Sequence, residues 1–143
     1  MIRLAATATA AALLLTAAPA LAQTADSKVV LTFETGARTG QVMVALYDSA
    51  AAFDGGSSSP VAATAIPASG PVVATFGNLP AGDYAVKAFH DVNGDGQMNT
   101  NPFGIPTEPY AFSNNAVGNM GPARWDRAHF AVSGETAQTI SIR

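Results

Sequence analysis

The sequence predicts an all-β fold: a single seven-stranded antiparallel β-sandwich with one long ordered loop. Three observations point there. The first is composition. Residues 23–143 hold 11 Val and 7 Phe against 3 Leu, together with 13 Gly and 8 Pro. Val and Phe suit a pleated, half-buried surface, while Gly and Pro punctuate turns. The second is period: short runs alternate in twos, as strands with one buried face require. The third is that no window of a dozen residues shows a helical apolar stripe unbroken by Gly or Pro. About seven short strands separated by turns is the pattern of a sandwich.

The elements follow in order. Val29, Leu31 and Phe33 alternate with Lys28, Val30, Thr32 and Glu34. After a turn over residues 36–40, Val42, Val44 and Leu46 alternate with Gln41, Met43, Ala45 and Tyr47. Residues 54–59, Asp-Gly-Gly-Ser-Ser-Ser, form a polar surface connection. A weaker strand covers residues 60–66. Val72, Ala74 and Phe76 form the next run, and the Leu79-Pro80-Ala81-Gly82-Asp83 turn leads into Tyr84, Val86 and Ala88. Near the end, Ala128, Phe130 and Val132, and then Ile140 and Ile142, alternate on either side of Ser133-Gly134-Glu135. Between these runs, residues 91–127 break the rhythm with four Pro and five Gly. So long a loop is uncommon in a compact domain and is usually functional or disordered. This one holds Met98, Phe103, Ile105, Tyr110, Phe112, Val117, Met120 and Trp125, which predict packing over one end or face of the scaffold.

Residues 1–22 stand apart. Arg3 precedes an apolar run with Leu13-Leu14-Leu15, and Ala20-Leu21-Ala22 has the small residues of a cleavage site. This predicts a secretory signal peptide, a domain over 23–143 and a periplasmic or secreted location, with no membrane span after cleavage. Without Arg3, six basic residues face ten acidic ones. The basic residues are scattered, which argues against nucleic acid as a partner. The chain has no cysteine, so disulfides, thiolate metal sites and cysteine nucleophiles are excluded.

One motif carries chemistry. Asp91-Val92-Asn93-Gly94-Asp95-Gly96 reads as D-x-N-x-D-G, the first half of a calcium loop. Oxygen side chains at alternate positions can converge on a hard cation, and the glycine allows the turn that aims the next carbonyl inward. The expected metal ligands are Asp91, Asn93, Asp95, the carbonyl of Gln97, and Asn99. Position 12 is Pro102 rather than Glu, and no amphipathic helices flank the loop, so it is no EF-hand. Glu108, the sole acid between Asp95 and Asp126, is the expected missing carboxylate. With so few charges the affinity expected is roughly 10⁻⁵ to 10⁻³ M. The same residues also suit a metal-free turn network.

Other groupings are weaker. His90 with Asp91 or Glu108 could serve a small hydrolase or lyase. His90 and His129 with an acid could hold zinc, but a histidine at a strand edge is more often structural. Ser113 lacks a nucleophile elbow, and Ser113-Asn114 is more economically a loop capping its own backbone. Asp91 and Asp95 fit metal or turn chemistry better than a glycosidase pair.

Leu79-Pro80-Ala81-Gly82-Asp83-Tyr84 resembles the L-P-x-G-x-Y hairpin of many prealbumin-like and carboxypeptidase-regulatory-like β-sandwiches, where the Tyr packs inward. His90-Asp91-Val92-Asn93-Gly94-Asp95-Gly96, then the run from Asn101 to Glu108 and Phe112-Ser113-Asn114-Asn115, resembles the exported bacterial family called domain of unknown function 2141. The resemblance covers almost the whole of residues 23–143, from about Val29 to Ile142. It implies an exported, β-rich single domain of Ig-like or prealbumin-like Greek-key type, with no assigned activity. The expectation is a non-enzymatic binding domain whose 91–127 segment is ordered by calcium or an equivalent polar network. Its partner would be an envelope protein, a peptide or a glycan; a transthyretin-like small-ligand carrier is the rival, and needs a preformed apolar cavity or a dimer channel.

Overall fold

The computed structural model describes residues 26–55 and 59–143. The expected signal segment, residues 1–22, lies outside them, as do residues 56–58 of the expected polar loop. The described chain is predominantly β. Its strands are β1 (Ser27–Glu34), β2 (Gln41–Tyr47), β3 (Ala62–Pro67), β4 (Val72–Leu79), β5 (Gly82–Asp91), β6 (Tyr110–Phe112), β7 (Phe130–Val132) and β8 (Glu135–Ser141). Two short helices join them, α1 (Ala50–Gly55) and α2 (Trp125–Ala128).

The strands form two sheets. One has the order β4-β1-β8; the other runs β3-β2-β5-β6, with β7 also pairing β5. Period 2 explains the packing. Val29, Leu31 and Phe33 of β1 and Val72, Ala74 and Phe76 of β4 meet Val42, Val44 and Leu46 of β2 and Tyr84, Val86 and Ala88 of β5 in one buried cluster. Burying each such side chain contributes about 1.5–3 kcal/mol before entropy is counted. Tyr84 packs inward and donates its hydroxyl to the Pro80 carbonyl at 2.8 Å, which satisfies the phenol at the end of the turn.

Several expectations are corrected. There are eight strands among the described residues, and β1 pairs with β8 in parallel. The chain leaves β7 in the second sheet and crosses through Ser133-Gly134 to the first, where β8 fills the free edge of β1. β8 starts at Glu135, not near Thr139, because backbone pairing rather than apolar alternation defines its first half. Ala128 ends a helix instead of opening a strand. The 91–127 segment is not one loop: it contains β6, a 3-10 turn over Ser113–Asn115 and α2. Nor do all its apolar residues pack, since Phe103, Ile105, Tyr110, Val117 and Met120 remain exposed.

Some of that segment does cover a sheet face. Phe53 of α1, Ala85, Phe112, Ala123 and Ala128 form a second buried cluster, with Tyr47 and Trp125 against it. It lies on the outer side of β2 and β5, opposite the main core. The Phe53 ring meets Tyr47 at 5.6 Å between centroids, and Phe112 and Trp125 each at 6.1 Å, all edge-on. Asp54 locks the two helices together by accepting the Trp125 N–H at 3.0 Å, with Arg124 beside it at 3.4 Å.

Candidate functional site

The 91–99 loop is organised by two buried carboxylates. Asp91, at the end of β5, is fully buried. Its Oδ1 accepts the N–H groups of Gly94 (2.8 Å) and Asp95 (3.1 Å). Its Oδ2 accepts the N–H of Gly96 (2.8 Å) and the side-chain amide of Gln41 (3.0 Å). Four donors fill the acceptor capacity of a carboxylate. The Gln41 amide, followed by the backbone donors, holds the Asp91 carboxyl below the ordinary range, against the opposing effect of burial. Glu108 closes the base of the excursion, accepting the Val92 N–H at 3.0 Å and the Asn99 N–H at 3.1 Å. Gly40 lets this corner close. Its φ is +70°, and a Cβ there would sit 2.0 Å from the Asp91 carbonyl oxygen.

The exposed half of the motif is also knitted together. Asn93 donates to Asn99 Oδ1 at 2.8 Å, Asn99 donates to Asp95 Oδ2 at 2.9 Å, and the Gln97 N–H donates to Asp95 Oδ1 at 2.9 Å. The Asn99 amide leads the donors that hold the Asp95 carboxyl below its ordinary range. The structure thus joins all six expected metal-site residues in one corner: Asp91, Asn93, Asp95, Gln97, Asn99 and Glu108. The donor set is rich in oxygen, as a hard cation wants. Asp91 and Glu108, however, are committed to N–H donors. Among the described residues no group of three or more His, Cys, Asp or Glu side chains is placed to hold a metal ion.

Beyond Asn99 the excursion doubles back. Thr107 N–H donates to the Asn99 carbonyl at 2.9 Å, and the Asn101 side chain accepts the N–H groups of Phe103 and Ile105 at 2.9 and 3.0 Å. The result is a small arm that raises Phe103 and Ile105 above the sheet.

The remaining polar candidates serve the backbone. The buried His90 ring places Nε2 2.6 Å from the Thr39 carbonyl. His129 places Nδ1 2.8 Å from the Trp125 carbonyl and stacks on the Trp125 ring. Ser113 is buried where β5 changes partner: β7 pairs it through Tyr84, and β6 begins at Lys87. The orphaned Val86 N–H between them donates to Ser113 Oγ at 2.8 Å, and that hydroxyl donates to the Ala128 carbonyl at 2.5 Å. Asn115 does similar work at the β8 edge, accepting the Ser141 N–H at 2.8 Å and donating to the Thr139 carbonyl at 3.1 Å.

A second site was missed by sequence reasoning. The outer face of β3-β2-β5-β6 carries two cross-strand rows. One is Ala65, Met43, Phe89, Tyr110; the next is Ala63, Ala45, Lys87, Phe112. Met98, Ile105 and Pro106 rise on one side, and Met120, Gly121 and Pro122 on another. They enclose an open groove of about 1140 Å³. Among the described residues, Lys87 is the only charged one in its lining. Its ammonium donates to the Phe53 carbonyl and lies 4.6 and 5.1 Å from the Phe53 and Tyr47 ring centroids. Burial lowers the Lys87 pKa, against the raising effect of Asp54. A signal was present in the sequence. An antiparallel pair with one wet face should alternate apolar and polar residues, yet Met43, Ala45, Tyr47 and Phe89 are apolar or aromatic on the second face too.

Comparison with curated proteins and with solved structures finds no match. The model of a family described as "Uncharacterized protein conserved in bacteria (DUF2141)" matches residues 34–141, well over half of the chain. The chain belongs to this family.

Proposed function

We propose, starting from that membership, that the chain is an exported, periplasmic or secreted, non-enzymatic binding domain that takes an apolar small molecule into its outer-face groove. The observation that carries this reading is the groove itself: about 1140 Å³, apolar on floor and walls, with a single charged side chain. Ligand pockets are typically of this order of size and mostly apolar, with few polar groups. The three methionines at 43, 98 and 120 all line it, and their soft, unbranched side chains adapt to varied ligands. A glycan partner fits less well, because sugars demand many hydrogen-bonding groups. A hydrolase or lyase built on His90 also fits less well, because that ring is spent on a backbone carbonyl. The scaffold assumed is an Ig-like or prealbumin-like sandwich.

In this reading the 91–99 loop is a clamp, with Asp91 and Glu108 holding the arm that forms one groove wall. The test is titration with an uncharged solvatochromic dye. Saturable one-to-one binding that Phe89→Asp abolishes, in a variant that still unfolds cooperatively, is expected. Absence of saturable binding by the wild type overturns the proposal.

Calcium is a second reading, favoured by the convergence of Asn93, Asp95 and Asn99 in the exposed half of the clamp. Those three, with the Gln97 carbonyl, would supply the ligands once the two amides turn their oxygens inward; Asp91 and Glu108 would complete the charge. A calcium-specific rise in melting temperature, absent with magnesium and in Asp95→Asn, is the expected result. An unchanged Tm across the titration removes the ion and leaves the clamp.

A further inference from the structure

We propose that the groove selects an amphiphile with one carboxylate head and an apolar tail, the head meeting Lys87. The inference rests on the binding reading above and names its ligand class.

It starts from where Lys87 lies. Along the middle of β5 the outward residues are Ala85, Lys87 and Phe89. Ala85 is fully buried beneath the α1–α2 cluster, and Phe89 lies on the open groove floor. Lys87 therefore marks the boundary between the covered and uncovered parts of one face. One of its three N–H donors is used, by the Phe53 carbonyl. Among the described residues no carboxylate forms a salt bridge with it, and Asp54, the acid whose charge it feels, is occupied by Trp125 and Arg124. An ammonium that faces two rings and keeps spare donors at the end of an apolar trough offers a charge-assisted site for one anionic group.

The chemistry narrows the head. Lys87 is a single point charge, and among the described residues no arginine and no second cation lines the groove. A dianionic phosphate calls for a fork or several cations. A monoanionic carboxylate is matched by one ammonium. The tail has one way to go. The α1–α2 cluster closes the end beyond Lys87, so an apolar chain runs over Ala45 and Met43 towards Phe89, Tyr110 and Ile105. Four strands at about 4.8 Å spacing give a floor roughly 14 Å across, with no further charge to desolvate.

The test compares three ten-carbon probes on the folded protein by calorimetry: decanoate, decanol and decylammonium. One-to-one binding of decanoate at least tenfold tighter than decanol, with decylammonium weakest, is expected. The preference should fade as pH rises towards and through the lysine range, starting below the ordinary lysine value because Lys87 is partly desolvated. Lys87→Met should equalise decanoate and decanol. Lys87→Arg is the independent control, because it keeps a cation at the same place on β5. It should keep decanoate tighter than decanol. Equal binding of decanoate and decanol by the wild type, or a preference for decylammonium, overturns the carboxylate assignment while the groove reading stands. Binding of none of the three, with elution as a dimer, overturns both and makes the groove a self-association face.

Discussion

The outer face of β2 and β5 is one surface with two fates. At the Tyr47–Ala85 end, α1 and α2 bring Phe53, Trp125 and Ala128 down on it, and the face becomes a second small core. At the Met43–Phe89 end the chain raises walls but no roof, and the same kind of apolar floor stays accessible. The strands do not differ in pattern between the two ends. The difference lies in what α1 and the 91–127 segment send across. The segment's C-terminal part supplies Phe112, Ala123 and Trp125 as cover, whereas its N-terminal part is held upright by Asp91 and Glu108. Covering an apolar face contributes stability, whereas an uncovered one marks a place for something to bind.

Substitutions can break this comparison, beginning with the largest effect. Phe53→Ala removes the ring that joins Tyr47, Phe112 and Trp125, and should cost about 3–5 kcal/mol in urea unfolding. A loss under about 1 kcal/mol would show that the covered end is no true core.

Asp91→Asn comes next. Asn offers one acceptor oxygen and turns two N–H groups of its own towards donors that had a carboxylate. The melting temperature should fall by roughly ten degrees. The pH dependence gives the sign. Hydrogen bonding depresses the Asp91 and Asp95 pKa values in the folded chain. Their contribution is complete above the unfolded value, about 3.9, and is lost as pH falls below it through the folded values. Wild-type Tm should therefore drop steeply below about pH 4, and Asp91→Asn should drop less over the same window.

Ser113→Ala leaves the buried Val86 N–H and Ala128 carbonyl without a partner and should cost about 1–3 kcal/mol. Hydrogen exchange at Val86 should accelerate with it. Phe89→Ser is the smallest and sharpens the contrast. On the open floor it should change stability by less than about 1 kcal/mol, against several for Phe53, which covers the other end of the face, while removing dye binding.

The fold class was legible because alternation at positions such as Val42, Val44 and Leu46 is a local property that burial of one sheet face imposes. β6 was not, since three residues show no period, and β8 was seen only in its second half. The polar loop was readable at Asp91, Asn93, Asp95 and Asn99 from their spacing, and Glu108 as the sole acid between Asp95 and Asp126. That Asp91 would be saturated by Gln41 from another strand was not readable, because the donor lies fifty positions away in sequence.

What the sequence by itself determined is the local chemistry: strands from period 2, turns from Gly and Pro, and an oxygen-rich loop from D-x-N-x-D-G. What only the tertiary structure decided is which apolar face is covered. Met43, Tyr47 and Phe89 all read as apolar in the same way. Whether each becomes core or groove floor depends on where distant segments land, and that is set by long-range contacts such as Asp54 with Trp125 and Ser113 with Val86 and Ala128.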